Sequence, residues 1–164
     1  MIVLGIDPGM AIMGYGVINE KNGHLEVLDY GVETTPARMD TGERLLRIFE
    51  SVESLILKHQ PDAMAIEELF FNKNSKTALI IGHARGAAVV AGARMNLPLF
   101  EYTPLQVKQA VVGYGRAEKQ QVQQMVRLLL NLKEIPQPDD AADALAVSIC
   151  HIHSSGMGRK FGAR

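Results

Sequence analysis

The chain opens on a run of apolar and small residues, Ile2-Val3-Leu4-Gly5-Ile6, that stops at Asp7-Pro8-Gly9. A run of this kind, bounded by an acid and a turn pair, predicts a buried strand ending at a polar edge. Pro8 has no amide to donate and Gly9 tolerates backbone conformations closed to other residues, so the chain leaves the sheet directly after Asp7. Residues 13–18 and 25–30 are two more strand-like runs. They flank Lys21-Asn22-Gly23, and Asn-Gly is a strong hairpin signal, so the three strands predict an antiparallel meander. After a polar link, Asp40 with Glu43 three residues on reads as a capping box. Leu45, Ile48, Phe49, Val52, Leu55 and Ile56 then fall on one helical face to about residue 59. Gln60-Pro61-Asp62 breaks the helix, and residues 63–67 read as a buried strand. A strand reached through a helical crossover lies parallel to its neighbour.

A polar loop with two aromatics follows, Phe70-Phe71-Asn72-Lys73-Asn74-Ser75, and then a helix at about 76–95 rich in small residues. Residues 99–102 form a fifth strand, Pro104 opens a short helix carrying Val107 and Lys108, and residues 112–116 make a turn. The next helix, about 118–131, turns Val122, Met125, Val126 and Leu129 inward. Pro136 and Pro138 punctuate, and Asp139 or Asp140 starts a last helix reaching about 153. Residues 154–164 are basic and rich in glycine and serine, a composition that predicts a disordered tail. With no internal repeat and no linker, the order predicts one α/β domain over residues 1–153.

Composition narrows the class. The 164 residues are 47% apolar and 21% charged, the balance of an ordinary globular domain. The opening residues lack a basic leader region, and the apolar stretch 78–93 is interrupted by His83 and Arg85 and too short to cross a bilayer. A single cysteine, Cys150, excludes an intrachain disulfide and fits a reducing cytosol; its helical apolar context makes it a core residue. A net charge of −1 argues against a uniformly basic nucleic-acid binder, though not against one whose basic face is balanced by an acidic site.

The candidate chemistry lies in acids at element ends. Asp7 and Glu67 each terminate a strand, and Asp140 and Asp143, three apart at a helix start, sit roughly 60° apart around its axis and can face one point. Asp-Pro-Gly also closes ordinary turns, acids are ordinary at helix N-termini, and Glu68 rivals Glu67 because alternation alone does not choose between them. Four converging carboxylates would drive protons back onto one another unless divalent cations neutralised them. Oxygen ligands of this kind suit Mg²⁺ or Mn²⁺, and no His/Cys cluster has zinc-ligand spacing. Two such ions form the clamp used in phosphodiester hydrolysis. Lys73, Lys76, Arg85, Lys108, Arg116 and Lys119 lie in or beside loops and helix starts, as a phosphate-tracking surface requires. His83, His151 and His153 have no matching partners and read as structural.

Several motifs together resemble the bacterial RuvC Holliday-junction resolvases. These are Leu4-Gly5-Ile6-Asp7-Pro8-Gly9, Ala65-Ile66-Glu67 with Phe70 and Asn74, Gln106-Val107-Lys108-Gln109, Ala117-Glu118-Lys119, and residues 140–146, Asp140-Ala141-Ala142-Asp143-Ala144-Leu145-Ala146. The match runs from residue 1 to about 153 in family order and spacing. The resemblance implies an RNase H-like fold, a five-stranded mixed sheet with helices on both faces. It implies a homodimer that nicks two opposing strands of a four-way junction during recombination and DNA repair, using Mg²⁺ with Mn²⁺ able to substitute, two ions to a site. A Holliday-junction branch-migration complex is the implied protein partner, and the cytoplasm the implied location. Asp7, Glu67, Asp140 and Asp143 match the metal-binding acids, which favours Glu67 over Glu68. Lys108 and Lys119 match basic residues near the scissile phosphate, and Phe70 matches a loop aromatic that stacks on a base at the junction centre. Lys73 and Arg116 are further expected DNA contacts. The small residues of the helix at 76–95, with Gly82, Gly86 and Ala93 recurring along one side, allow a close approach, either to the sheet of its own subunit or to a second copy in a dimer. Actin-like ATPases open on a similar turn but need two such domains. The remaining alternative is an RNase H-like relative acting on structured RNA, or binding nucleic acid without cleavage.

Overall fold

A computed structural model of the chain describes residues 1–69 and 75–160. The expectations attached to Phe70, Phe71, Lys73 and Asn74 lie outside the described residues.

Strands β1 (Ile2–Asp7), β2 (Ile12–Lys21) and β3 (His24–Thr34) form the expected antiparallel meander. At its β2–β3 turn, Asn22 and Gly23 have φ of 54° and 82°. A two-residue hairpin needs positive φ at both positions to match the twist of its strands, and Asn-Gly supplies it. The amphipathic helix α1 (Thr41–His59) begins as its sequence predicts, with the Asp40 N–H donating to Glu43 Oε2 at 3.3 Å. It leads to β4 (Ala63–Glu67), α2 (Ser75–Arg94), β5 (Leu99–Tyr102), α3 (Pro104–Val112), α4 (Lys119–Leu129) and α5 (Asp139–Lys160). The sheet order is β3-β2-β1-β4-β5, with β1–β4 and β4–β5 parallel, so β1 lies at the centre.

Side-chain alternation divides each central strand between two cores. Val3 and Ala65 join Leu145, Ile149 and Val126 on the α3–α4–α5 face. Leu4, Ile6, Met64 and Ile66 join Ile48, Val52, Ala84 and Ala88 on the α1–α2 face. Burial on both faces explains why β1 and β4 read as continuous apolar runs until their final acids.

The last helix differs from its expectation. It continues through Lys160, past the predicted end near 153. Ile149, Cys150 and Ile152 anchor it in the core, and the Ser155 hydroxyl returns to the Ile152 carbonyl at 3.1 Å. A helix already nucleated by packing propagates through serines that would not start one, and so the composition misled. His151 and His153 are structural as expected. The Tyr102 hydroxyl and His151 Nδ1 lie 2.8 Å apart, and His153 Nδ1 donates to the Ala110 carbonyl at 2.9 Å. Among the described residues no helix is long and apolar enough to cross a membrane.

Candidate active site

Three glycines bring α5 down onto the end of the sheet. A Cβ on Gly5 would stand 2.2 Å from the Ala144 carbonyl oxygen, one on Gly14 2.0 Å from that of Asp140, and one on Gly16 2.7 Å from Leu145 Cδ2. Any side chain at these positions would lift the helix off β1 and β2. The Ser148 hydroxyl, donating to the Gly16 carbonyl at 2.9 Å, fastens the same contact. The first turn of α5, with Asp140 and Asp143, is thereby laid over the ends of β1 and β2.

Alternation delivers the strand acids to the same face. Gly5 lies under α5, so Asp7, two residues on, points to that side. Ala65 packs in the α5-side core, so Glu67 does likewise. Glu68 lies beyond the end of β4, where its N–H donates to the Tyr102 carbonyl at 2.8 Å. Of the two glutamates, Glu67 is thus the one on the α5 side, where the charge of Asp143 acts on it.

The electrostatics show how closely these groups feel one another. The Asp7 carboxyl is pushed up to about 7, first by burial and then by the charges of Asp143, Glu67 and Asp140, with Lys119 pulling it back. Burial and then Asp143 raise Glu67, against Lys108 and Lys119. Burial also raises Asp143, against its hydrogen bond from Lys119. That lysine stands with Nζ 2.9 Å from Asp143 Oδ2 and 3.3 Å from Asp139 Oδ2. Burial works against its charge, but Asp143 and Asp139 outweigh it and hold Lys119 above its ordinary range. Lys108 and Lys119 thus reach the acids from two separate helices, α3 and α4.

Asp139 was missed as a partner of this site. Its sequence signal was its place directly before Asp140 at a helix start, read only as a possible first residue. Arg116 is exposed in the turn between α3 and α4. Arg85 is largely turned away from solvent, its Nη2 2.5 Å from Glu101 Oε2 on β5, rather than standing free for phosphate.

Among the described residues no three His, Cys, Asp or Glu side chains are drawn close enough to grip one ion as they stand. The donor chemistry nevertheless fits a hard divalent cation. Asp7, Glu67, Asp140 and Asp143 offer oxygen ligands only, and the repulsion that raises Asp7 is what a doubly positive charge would relieve.

A family model described as crossover junction endodeoxyribonuclease RuvC matches residues 3–151. The chain belongs to the RuvC family. It is 60% identical over 161 residues to the crossover junction endodeoxyribonuclease RuvC of Alkaliphilus oremlandii, covering 98% of each. It is likewise 60% identical over 162 residues to that of Ruminiclostridium cellulolyticum, covering 99% of this chain and 98% of the other. Among solved structures, RuvC of Thermus thermophilus in complex with Holliday junction substrate superposes with a TM-score of 0.92 at 40% identity, covering 96% of both chains. The yeast mitochondrial Holliday junction resolvase Ydc2 shares the fold, with a TM-score of 0.67 at 15% identity over 97% of this chain and 83% of that one. The expected RNase H-like fold, with its mixed five-stranded sheet, is that of these RuvC neighbours.

Proposed function

We propose that this RuvC-family endonuclease resolves Holliday junctions with divalent cations, Mg²⁺ or in its place Mn²⁺, held by Asp7, Glu67, Asp140 and Asp143. The observation that carries the reading is the meeting of two strand ends and the first turn of α5, where each raised carboxyl feels its neighbours' charge. Two ions bound there supply activation of water and charge stabilisation at the departing oxygen. The chain's own part is to hold the ions, to set Lys108 and Lys119 beside them for the scissile phosphate, and to bind the DNA backbone through Lys73 and Arg116. Phe70 stacks on a base at the junction centre. A DNA substrate implies cytoplasmic work, beside a branch-migration complex that moves the junction.

Phe70→Ala slows cleavage more than it weakens binding, by the roughly 1–3 kcal/mol of one base–aromatic stack. Single-turnover rates and junction affinities measured together check this. A large fall in Tm would instead make Phe70 a core residue.

One acidic site cuts one strand, and paired nicks on strands related by a two-fold axis call for a C₂ homodimer. The outer face of α2 supports that assembly. Gly86 is exposed, with nothing within 4 Å of a Cβ built on it, whereas Gly92 faces Met64 of its own subunit at 2.6 Å. Leu79 and Val90 on α2 and Leu46 on α1 are 61%, 58% and 55% exposed. A groove of about 410 Å³ between the two helices is lined by Leu45, Phe49, Gly86 and Val90 among others. Gly86→Leu shifts the protein toward monomer and uncouples the two nicks. Light scattering checks it, and a variant that stays folded and fully dimeric removes α2 from the interface.

The function itself is tested by incubating the protein with a synthetic four-way junction, a linear duplex and a structured RNA, each with and without Mg²⁺. Cutting of the junction alone, with Mg²⁺ alone, is the expected result. Preferential cutting of the RNA overturns it.

A further inference from the structure

Lys119 is shared between two carboxylates of α5, and only one belongs to the four acids. Asp139 and Asp143 stand i and i+4 on the helix, the spacing that puts side chains on one face, and both reach the same ammonium. They differ in what else they touch. Asp143 is less exposed than Asp139, 29% against 51%, and its charge acts on both Asp7 and Glu67. The charge of Asp139 acts on Asp143 and Lys119 but is absent from what acts on Asp7 or Glu67. Asp139 is therefore at the rim of the cluster, not within it.

An ammonium and a divalent cation compete for one carboxylate oxygen, because two positive charges cannot share that position. Were Asp143 the only carboxylate against Lys119, an incoming cation would have to strip the lysine to solvent. With Asp139 beside it, the ammonium moves less than a helical turn along the same face and never loses an anionic partner. Its contact with Asp143 is the shorter, so the lysine sits on the inner acid by default and has the outer one within reach.

We infer that Asp139 is a positioning residue that takes Lys119 over from Asp143, freeing the Asp143 oxygen for a divalent cation. The inference rests on the reading that the four acids hold such a cation. It gives a lysine already tied to the cluster a defined place to go when the ion arrives. It also assigns a role to an acid outside the four.

The test is a double-mutant cycle read by Mn²⁺ binding, using electron paramagnetic resonance of free Mn²⁺ on the full chain without DNA. Asp139→Asn is expected to weaken Mn²⁺ binding about threefold, the scale of one partly exposed ion pair. Lys119→Met is expected to strengthen it, since the competitor is gone. In the Lys119→Met protein the Asp139→Asn change is expected to move the affinity by less than about half that factor, while Asp139→Glu in the native background restores binding. Equal losses in both backgrounds would show that Asp139 acts only as a nearby negative charge, and no loss in either would show that it does nothing for the ion; both overturn the inference. A native protein that binds no Mn²⁺ overturns the cation reading itself, and the inference with it.

Discussion

Replacing Asp7, Glu67, Asp140 or Asp143 singly by its amide abolishes junction cleavage while junction binding holds or tightens. The loss is at least about a hundredfold, the scale of removing one preorganised electrostatic contact from a reacting centre. An amide keeps the size of the side chain and one of its oxygens but removes the charge that holds a cation, so the fold is kept and the ion is not. Binding is expected to move the other way because, in the proposed reading, each acid faces the phosphates, and removing negative charge there lowers repulsion. Asp143→Asn has a further effect, since it leaves Lys119 with Asp139 as its remaining carboxylate. Cleavage rate and junction affinity, measured on the same preparations, separate the two effects. Any amide variant that cuts at a near-native rate removes that residue from the ligand set.

The second large effect is on stability. The Asp7 carboxyl lies at about 7 in the folded chain against an ordinary value of 3.8. A carboxyl raised on folding favours the folded state while it is protonated, fully so below 3.8, and that contribution is lost as pH rises through about 7. At about 1.4 kcal/mol per pH unit the loss is on the order of 4 kcal/mol once Asp7 is fully ionised. In chelator, the Tm of the native protein is expected to fall between pH 4 and pH 8. Asp7→Asn, which carries no charge to repel its neighbours, should melt roughly 5 °C or more above native at pH 8 and at the same temperature at pH 3.5. Added Mg²⁺ should raise the native Tm at pH 8 far more than that of Asp7→Asn. A native Tm that stays flat across this window would show that Asp7 is neither desolvated nor crowded by Asp143 and Glu67.

The meander, the Asn22-Gly23 turn, the crossover strands and the helix faces were legible because each is set by local alternation, periodicity or turn chemistry. The four acids were legible as strand and helix termini, but only family resemblance favoured Glu67 over Glu68. In the fold, the position of Ala65 under α5 turns Glu67 to the same side. What pattern reading does not carry is contact between distant segments. Gly5, Gly14 and Gly16 are unremarkable strand glycines until α5, more than a hundred residues later, is seen resting on them. Asp139 was hidden for the same reason, since its partner Lys119 lies on another helix. Arg85 read as a free cation because nothing in its own helix announces Glu101 on β5. The length of α5 was hidden too, since serine and glycine composition speaks to propensity and not to the core that anchors the helix.

The central claim is that the acids at the ends of β1, β4 and the start of α5 cut a four-way junction with divalent cations, in a symmetric pair. It is tested most directly on an immobile junction whose four strands are end-labelled in turn and resolved on a sequencing gel. The expected pattern is one nick on each of two opposing strands at equivalent positions, present with Mg²⁺ or Mn²⁺ and absent in chelator. Nicks that persist in chelator, or that fall on all four strands alike, would contradict it.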